Sequence, residues 1–377
     1  MKFEEFVAGQ YKDQYQYKSF TPVPINIQWS WEDPRINVLL EQATRKLGEL
    51  NAFSFIVPDV DLFIQMHILK EANTSSRIEG TRTEMDEAVL EESAVLPERR
   101  DDWREVQNYV DAMNQAIEDL QQLPLSLRLL RKTHETLMTG ARGTHKSPGE
   151  FRRSQNWIGG SALIDAAYIP PHCDDMTPLL SDLELFWHNE DIQVPHLIRC
   201  ALSHYQFETI HPFLDGNGRI GRLLIPLYFV THGLLTKPSL YLSDFFEKNR
   251  VSYYDALTRV RESNDIGHWV RFFLQAIVET ADKGKVTFQN ILKLKNEVDA
   301  LIVQLGKRAE NSRHLVNRLF QKPSISVQEV CELLNIQYVA ANSLVAKFVE
   351  LGLLEEVTGQ QRNRIFRFRQ YLDIFDR

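Results

Sequence analysis

The chain of 377 residues has few cysteines: Cys173, Cys200 and Cys331 lie far apart, with no C-x-x-C spacing. This scarcity argues against a disulfide framework and against a structural zinc site. The sequence also has no run of about 20 apolar residues, the length that a membrane-spanning helix needs. Its first residues lack the apolar stretch of a secretory signal. We therefore expect a cytoplasmic protein that makes no membrane contact.

A surplus of positive charge is also missing. The 43 lysines and arginines are outnumbered by 51 aspartates and glutamates, and the formal net charge is −8. The chain as a whole is therefore not built to coat nucleic acid, and any nucleic-acid surface must be local. The hydrophobic fraction of 43% can fill the cores of two or three domains in a chain of this length.

Helical periodicity dominates the sequence. Apolar residues recur at steps of four and three, as at Leu62, Met66 and Leu69, which predicts a mostly α-helical protein. Around residues 157–170 two short extended arms flank a turn of small residues, which predicts a β-hairpin.

The last 57 residues or so form a separate pattern. Ser326 and Glu329 form a capping box before a short helix, which Asn335 can end. A second helix stops at Gly352, and residues 355–368 then predict a hairpin. Helix, turn, helix and wing is the order of a winged-helix domain.

The stretch from His211 to Arg222 reads HPFLDGNGRIGR, and its residues 216–221 match the pattern G-x-G-x-x-G. A Rossmann loop needs a strand before these glycines and an acidic residue about 20 residues after them, at the end of a second strand. Here a segment with helical periodicity comes first, and only weak strand character follows. We therefore reject a dinucleotide-binding loop.

The same stretch nevertheless predicts a polyphosphate site. Gly216, Asn217 and Gly218 allow the backbone to turn its N–H groups inward, and a helix beginning near Arg219 directs its positive end at the loop. Arg219 and Arg222 are three residues apart and can face one side of the first turn.

Two further side chains add reactive groups to this loop. Asp215 would repel a phosphate, and a bound Mg²⁺ that bridges carboxylate and phosphate oxygens resolves the conflict. His211 stands at the entry of the loop, where it can take a proton from an incoming nucleophile. Base, carboxylate, anion cradle and arginines together predict phosphoryl or nucleotidyl transfer.

These twelve residues resemble the Fic-domain motif H-P-F-x-[DE]-G-N-G-R-x-x-R at every defined position. The wider resemblance covers about residues 55–280, with further similar positions at 148–152, 168–171 and 253–254. It implies protein adenylylation, the transfer of AMP from Mg-ATP to a Tyr, Thr or Ser hydroxyl of a target protein, the enzyme itself included. The phosphorylating relatives in Doc toxins carry A-N-K where this chain has Gly216, Asn217 and Gly218, which favours AMP transfer.

The resemblance also implies a role for each residue of the site. His211 would be the general base, Asp215 would hold Mg²⁺, and the hairpin at 157–170 would be the flap to which a target adds a strand. Tyr253 and Tyr254 would border the adenine, with Asn264 as their neighbour. The residues expected to contact ATP are Gly216, Asn217, Gly218, Arg219, Ile220, Gly221, Arg222, Tyr253 and Tyr254.

Residues 75–80, SSRIEG, resemble the inhibitory motif [ST]-x-x-x-E-[GN] of the same family. Ser75 and Glu79 are four residues apart on a helix and share a face, and Gly80 follows as a helix-ending glycine. The resemblance implies that Glu79 pairs with Arg222 and obstructs productive seating of the ATP γ-phosphate, within one chain. Some relatives use this glutamate to position water that removes AMP from modified targets, so an AMP-removing activity stays open.

A winged-helix DNA-binding regulator is the alternative from a different class. Its predicted wing carries a basic ladder, which could lie along phosphates, at Arg362, Arg364, Arg367 and Arg369. The helix over 338–351 is mostly apolar, which suits packing against a partner or another domain instead. The sequence encodes no target protein, and it leaves open whether the chain forms a homodimer.

We therefore predict a mostly α fold, a Fic-type helical bundle with a small β-hairpin flap followed by a winged-helix domain. An N-terminal helical region over 1–100 would carry the inhibitory motif. The catalytic core would span 101–282, a helical connector 283–320, and the winged-helix-like domain 321–377.

Overall fold

A computed structural model describes residues 1–56, 60–140, 144–360 and 363–375 of the chain. Helices dominate these residues, so the mostly α fold is confirmed. The helices are α1 (Pro34–Ile56), α2 (Val60–Ile78), α3 (Met85–Ala88), α4 (Arg100–Asp119), α5 (Leu127–Leu137), α6 (Cys173–His188), α7 (His196–Ile210), α8 (Asn217–Thr231), α9 (Ser243–Lys248), α10 (Arg250–Ser263), α11 (Ile266–Val303), α12 (Ala309–Gln321), α13 (Val327–Leu334), α14 (Tyr338–Glu350) and α15 (Arg369–Phe375). The strands are β1 (Gly9–Asp13), β2 (Lys18–Pro22), β3 (Ser324–Ser326), β4 (Glu355–Glu356) and β5 (Ile365–Arg367).

Helices α7 and α8 form the centre of the bundle. Every residue of α7 from Leu197 to Ile210 is buried, and α8 is buried over most of its length. Water does not reach the polar side chains of a helix that is buried on all sides, so neighbouring elements must supply their hydrogen-bond partners. The turn that joins the two helices, residues 211–216, is therefore held between two fixed ends.

Helix α11 is continuous over 38 residues. Its far half remains in the core, with buried side chains at Phe288, Ile291, Leu294 and Val298. The division predicted at residue 283 thus falls inside a helix whose apolar stripe continues past it. Lys283, Lys285 and Lys295 of this half are partly buried and pair with Asp244, Glu49 and Asp299, contacts that the lysine-rich sequence did not reveal.

The first 33 residues contain a β-hairpin in a region predicted to be helical. Strands β1 and β2 pair antiparallel from Gly9 opposite Pro22 to Asp13 opposite Lys18. The hairpin supports the flap, since the Phe20 N–H donates to the Ile169 carbonyl at 2.9 Å. Each strand is only five residues long and the two differ in burial pattern, so they leave little periodic signal in the sequence.

The flap itself is closed by one antiparallel bridge between Ile158 and Tyr168, with N–H···O distances of 2.9 and 3.1 Å. The predicted hairpin therefore has a single bridge where two paired strands were expected. At its tip the Asp165 carboxylate accepts hydrogen bonds from the N–H groups of Ser161 and Ala162. These side-chain hydrogen bonds hold the tip in place of a ladder of paired strands. Most backbone N–H and C=O groups of the two arms therefore do not pair across the hairpin.

The C-terminal unit contains α13, α14 and a three-stranded antiparallel sheet of order β3-β5-β4. The capping box of Ser326 and Glu329 is confirmed, and Asn335 ends α13 in the left-handed conformation, as predicted. The winged-helix assignment itself stays a prediction. Within the described residues, none of the helices has the length and apolar character required to cross a membrane.

The C-terminal unit packs directly on the helix that carries the inhibitory motif. Phe375 of α15 meets His67 of α2 edge-on, with ring centroids 5.1 Å apart, and its carbonyl accepts a hydrogen bond from Lys70 of α2. The Asp86 carboxylate, in α3, accepts from Arg367 at 3.1 Å and from Arg369 at 3.0 Å. Two arginines of the predicted basic ladder are thus bound inside the chain, and Arg362 lies outside the described residues.

Candidate active site

The glycine loop is fixed at both ends by left-handed residues. His211 has φ of 51° and Gly216 has φ of 75°. Helix α8 begins at Asn217, two residues before the predicted start, with Gly216 as its N-cap. The Asn217 side chain binds back to Phe213, accepting from its N–H and donating to its carbonyl, both at 2.8 Å. Asn217 therefore shapes the loop from inside.

Three residues outside the motif support the loop. His134 stacks on Phe213 with ring centroids 3.8 Å apart, accepts from the Gly149 N–H through Nδ1, and contacts the Asp215 carbonyl through Nε2. Arg152 donates from Nε to the His211 carbonyl, and Asn156 donates to the same carbonyl and to that of Phe213. Arg152 lies in the wider resemblance, whereas His134 and Asn156 carried no sequence signal.

His211 is buried except for 17% of its side-chain surface. Burial lowers the pKa of His211 to about 4, so the ring is neutral near pH 7. Its Nδ1 lies 3.3 Å from the Glu208 carbonyl, which can only accept a hydrogen bond. Nδ1 therefore carries the proton and Nε2 keeps its lone pair, the form that a general base needs.

Arg222 is bound by the inhibitory motif. Its Nε donates to the Ser75 hydroxyl at 2.8 Å, and its Nη2 donates to the Ser75 carbonyl at 3.0 Å and to Glu79 Oε1 at 2.6 Å. Burial alone would raise the pKa of Glu79, but the charge and hydrogen bond of Arg222, together with the Arg219 charge, lower it. Glu79 is thus a carboxylate at neutral pH and forms an ion pair with Arg222.

Glu79 also lies directly over the glycine loop. A Cβ placed on Gly218 would come within 2.3 Å of Glu79 Oε1 and 2.9 Å of the Arg222 Nη1. Glycine at this position therefore leaves just enough room for the glutamate. The carboxylate occupies space next to the N-terminus of α8, where a phosphate would be favoured.

Arg219 and Asp215 lie on the other side of the loop. Arg219 is buried, with Nη1 at 3.3 Å from Glu105 Oε2 and Nη2 at 3.9 Å from Asp215 Oδ1. Asp215 is 49% exposed in its side chain, and its Oδ1 accepts from the Gly216 N–H at 2.6 Å. Because the Asp215 carboxylate is half-exposed and its Arg219 partner is as far as 3.9 Å away, it can offer oxygen to a hard ion such as Mg²⁺, and the residues fit such an ion. Next to both residues lies a cavity of about 290 Å³, lined by Glu79, Gly80, α4 and α5.

The remaining predicted residues lie further from the loop. Ile220 is fully buried, and Gly221 faces α7, where a Cβ would meet Glu208. Tyr253 is 1% exposed and its hydroxyl contacts His204 Nε2 at 2.9 Å, so it lies within the aromatic core. Tyr254 is 39% exposed and is the tyrosine of the pair that faces solvent. Asn264 caps α10 and accepts from the Ala8 N–H at 2.8 Å, a structural contact.

Comparison with known families agrees with this geometry. Residues 38–118 match the Fic/DOC family N-terminal model, and residues 124–229 match the Fic/DOC family model. This part of the chain belongs to the Fic/DOC family. The Fic match includes the loop and the start of α8, and the N-terminal match includes Ser75, Glu79 and Gly80.

Curated relatives carry the name protein adenylyltransferase Fic. The protein from Drosophila erecta is 30% identical over 167 residues, which are 43% of this chain and 30% of the relative. The protein from Culex quinquefasciatus is 36% identical over 135 residues, which are 36% of this chain and 24% of the relative. The chain thus aligns with less than a third of the length of these two relatives.

Solved structures share the fold. A Fic family protein from Desulfovibrio desulfuricans superposes with a TM-score of 0.56 and 20% identity, covering 89% of this chain and 96% of that one. A Fic domain containing signaling protein from Bacteroides thetaiotaomicron gives a TM-score of 0.53 and 18% identity, covering 67% and 97%. The Fic-type helical bundle is therefore confirmed.

Proposed function

We propose that this chain is an auto-inhibited protein adenylyltransferase, which transfers AMP from Mg-ATP to a Tyr, Thr or Ser hydroxyl of target proteins, its own hydroxyls included. The observation that carries the proposal is the arrangement of a neutral His211 next to the N-terminus of α8, with Glu79 bound to Arg222 above the loop. The Fic/DOC match and the names of the curated relatives support AMP as the transferred group.

In the reaction, His211 Nε2 would accept the proton of the target hydroxyl as the hydroxyl oxygen attacks the α-phosphorus and pyrophosphate leaves. The first N–H groups of α8 have no partner inside the helix and would bind phosphate oxygens. Arg219 and Arg222 would hold the leaving phosphates. Asp215 would hold Mg²⁺, which supplies charge neutralisation for the phosphates.

Glu79 would inhibit AMP transfer in two ways, by pairing with Arg222 and by occupying the position of a phosphate. Glu79 accepts a hydrogen bond from Arg222 Nη2, and its carboxylate fills the space next to Gly218 that a phosphate would otherwise occupy. A phosphate that displaced it would leave a partly buried carboxylate without its cation, which is unfavourable. ATP would then bind with its phosphates displaced from the geometry of in-line attack.

The flap would bind the target. Its arms share a single bridge, so most of their backbone donors and acceptors are available to an added strand. Main-chain pairing of this kind recognises an extended backbone and carries little side-chain information.

The test incubates three proteins with ATP labelled at the α-phosphate, Mg²⁺ and a cell lysate: the unmodified chain, Glu79→Gly and Glu79→Gly/His211→Ala. We expect strong protein labelling by Glu79→Gly alone, because only this variant combines the base with an Arg222 that has lost its ion pair. Equal labelling by the unmodified chain and Glu79→Gly would contradict inhibition by Glu79. No labelling by Glu79→Gly would remove AMP transfer itself.

AMP removal is the second candidate, favoured by the electrostatic contact between Glu79 and His211, which raises the pKa of the histidine against the effect of burial. A carboxylate and an imidazole at one loop could activate water together. Incubating pre-adenylylated targets with the unmodified chain and with Glu79→Gly separates the two activities. Release of AMP by the unmodified chain alone would establish removal.

A further inference from the structure

A second buried glutamate lies behind His211. Glu208, in the last turn of α7, is 7% exposed, and its Oε2 lies 4.0 Å from His211 Nδ1. Its Oε1 is buried and has no hydrogen-bond partner. Buried carboxylate oxygens normally accept hydrogen bonds, so the unbonded Oε1 of Glu208 points to a functional role for this side chain.

The helix opposite has a gap that fits this carboxylate. A Cβ on Gly221 would lie 2.1 Å from Glu208 Oε1 and 3.1 Å from its Cδ. Gly221 lies inside α8 and has no left-handed backbone, so the turn does not require glycine there. The missing side chain instead allows the carboxylate to cross between α7 and α8.

The charges around Glu208 set its protonation near neutral pH. Burial raises the pKa of Glu208 to about 7. Arg222 on α8 and Arg261 on α10 oppose this increase, and the negative charge of Glu79 adds to it. Tyr253 and Tyr254, also on α10, are further titratable neighbours. At pH values above 7 a carboxylate therefore faces the neutral ring of His211.

We infer that Glu208 is a positioning residue for AMP transfer, which orients the His211 ring and stabilises its protonated form. This inference rests on the proposed function. When Nε2 takes the proton of the target hydroxyl, the oxygen–phosphorus bond forms and pyrophosphate leaves, and the ring becomes an imidazolium with Nδ1–H towards Glu208. The proton then passes from Nε2 to solvent, and the ring is neutral again. A charge about 4 Å away in a buried site stabilises that imidazolium strongly.

The test compares Glu208→Gln with its parent in the Glu79→Gly background, by the pH dependence of kcat and by KM for ATP. The parent should gain activity as pH rises through the Glu208 pKa, at or below 7 because the Glu79 charge is gone. Glu208→Gln keeps the size of the side chain but has no charge. We expect it to lower kcat on the order of 10- to 100-fold above pH 7, with KM little changed, and to remove the rise.

Glu71→Gln is the matched control. Glu71 is also buried with a pKa of about 7, but it binds Ser243 and Tyr109 and does not contact His211. The rise of kcat with pH should survive this substitution. A Glu208→Gln variant that keeps both the rise and the kcat of its parent would overturn the inference, while inactivity of the parent would count against the proposed function instead.

The unsubstituted chain supplies a measurement that does not depend on activity. With ¹³C-labelled histidine, the NMR shift of the His211 ring should show an inflection near pH 7 as Glu208 ionises beside it. His211→Ala identifies the resonance, and Glu208→Gln should remove the inflection. A His211 shift that is flat between pH 6 and 8, about one unit either side of that pKa, would overturn the inference.

Discussion

The Arg222 Nη2 lies 2.6 Å from Glu79 Oε1, and the same guanidinium also donates to the hydroxyl and the carbonyl of Ser75. Three hydrogen bonds therefore join the catalytic helix α8 to the end of α2. Nη2 donates both to Glu79 and to the Ser75 carbonyl, so a movement of this nitrogen away from Glu79 also disturbs its bond to Ser75. The contact proposed to inhibit the enzyme is thus a cluster of three groups, and the serine is a part of it.

Ser75→Ala tests this cluster. The change leaves the buried Arg222 Nε without its acceptor, which should lower the free energy of unfolding by about 1–2 kcal/mol. AMP transfer should rise, but less than in Glu79→Gly, because the ion pair remains. Denaturant unfolding and the labelling assay measure the two effects. Ser76→Ala is the control, because the Ser76 hydroxyl is buried without a hydrogen-bond partner and should change neither quantity. Identical behaviour of the two alanine variants would contradict a role for Ser75.

His134 predicts a dependence of stability on pH. Burial, helped by the Arg219 charge, lowers the pKa of His134 to about 4 from an ordinary value of 6.5. The neutral ring accepts a hydrogen bond from the Gly149 N–H through Nδ1. The unfolded chain binds this proton more readily, so stability falls as pH decreases from 6.5 towards 4. Between pH 7.5 and 5.0 the loss from this one group is roughly 2 kcal/mol.

Urea unfolding at the two pH values checks this expectation, with His134→Gln as the comparison. The variant is less stable at pH 7.5 but should lose less stability on acidification, by roughly the 2 kcal/mol that His134 contributes. Equal losses in both proteins would show that the folded state accommodates a charged His134.

Arg367→Ala tests the contact between the C-terminal unit and the segment that follows the inhibitory motif. Arg367 donates to the carboxylate and to the backbone carbonyl of Asp86. Its loss should lower stability by about 1–3 kcal/mol and increase hydrogen exchange over residues 80–90. Arg364→Ala is the control, since Arg364 donates to Asn342 within the C-terminal unit. Unchanged exchange over 80–90 in Arg367→Ala would show that other contacts hold the unit in place.

The arginine contacts also predict the outcome of a DNA-binding test. Arg367 and Arg369 both pair with Asp86, so they are occupied inside the chain. We expect no salt-dependent shift of random genomic fragments by the unmodified chain, because too few phosphate contacts remain. Asp86→Ala removes the shared acceptor and serves as the comparison. A shift by the unmodified chain that weakens with salt would restore the winged-helix regulator as a reading of the C-terminal unit.

The sequence was most informative where function restricts consecutive residues. The stretch from His211 to Arg222 predicted one loop and one helix start, and the structure places these residues together. The capping box at Ser326 was readable for the same reason, since its two partners are three residues apart.

Contacts between distant segments were not readable from the sequence. Nothing in the sequence pairs Arg367 with Asp86, because 281 residues separate them. Tyr253 was expected beside a nucleotide, yet the packing of α9, α10 and α11 encloses it. Gly221 looked like one more glycine of an anion loop, whereas its missing Cβ makes room for Glu208 on another helix. In each case the deciding neighbour is set by tertiary packing, which periodicity does not encode.

Glu79 and Arg222 are 143 residues apart in sequence, yet one fold holds them in contact. The carboxylate is therefore present at an effective concentration that the fold fixes and that dilution of the protein does not alter. If the chain transfers AMP as proposed, the rate of transfer per molecule should then be the same in dilute and concentrated samples. An enzyme restrained by a separate chain would behave differently, gaining activity as its inhibitor dissociates.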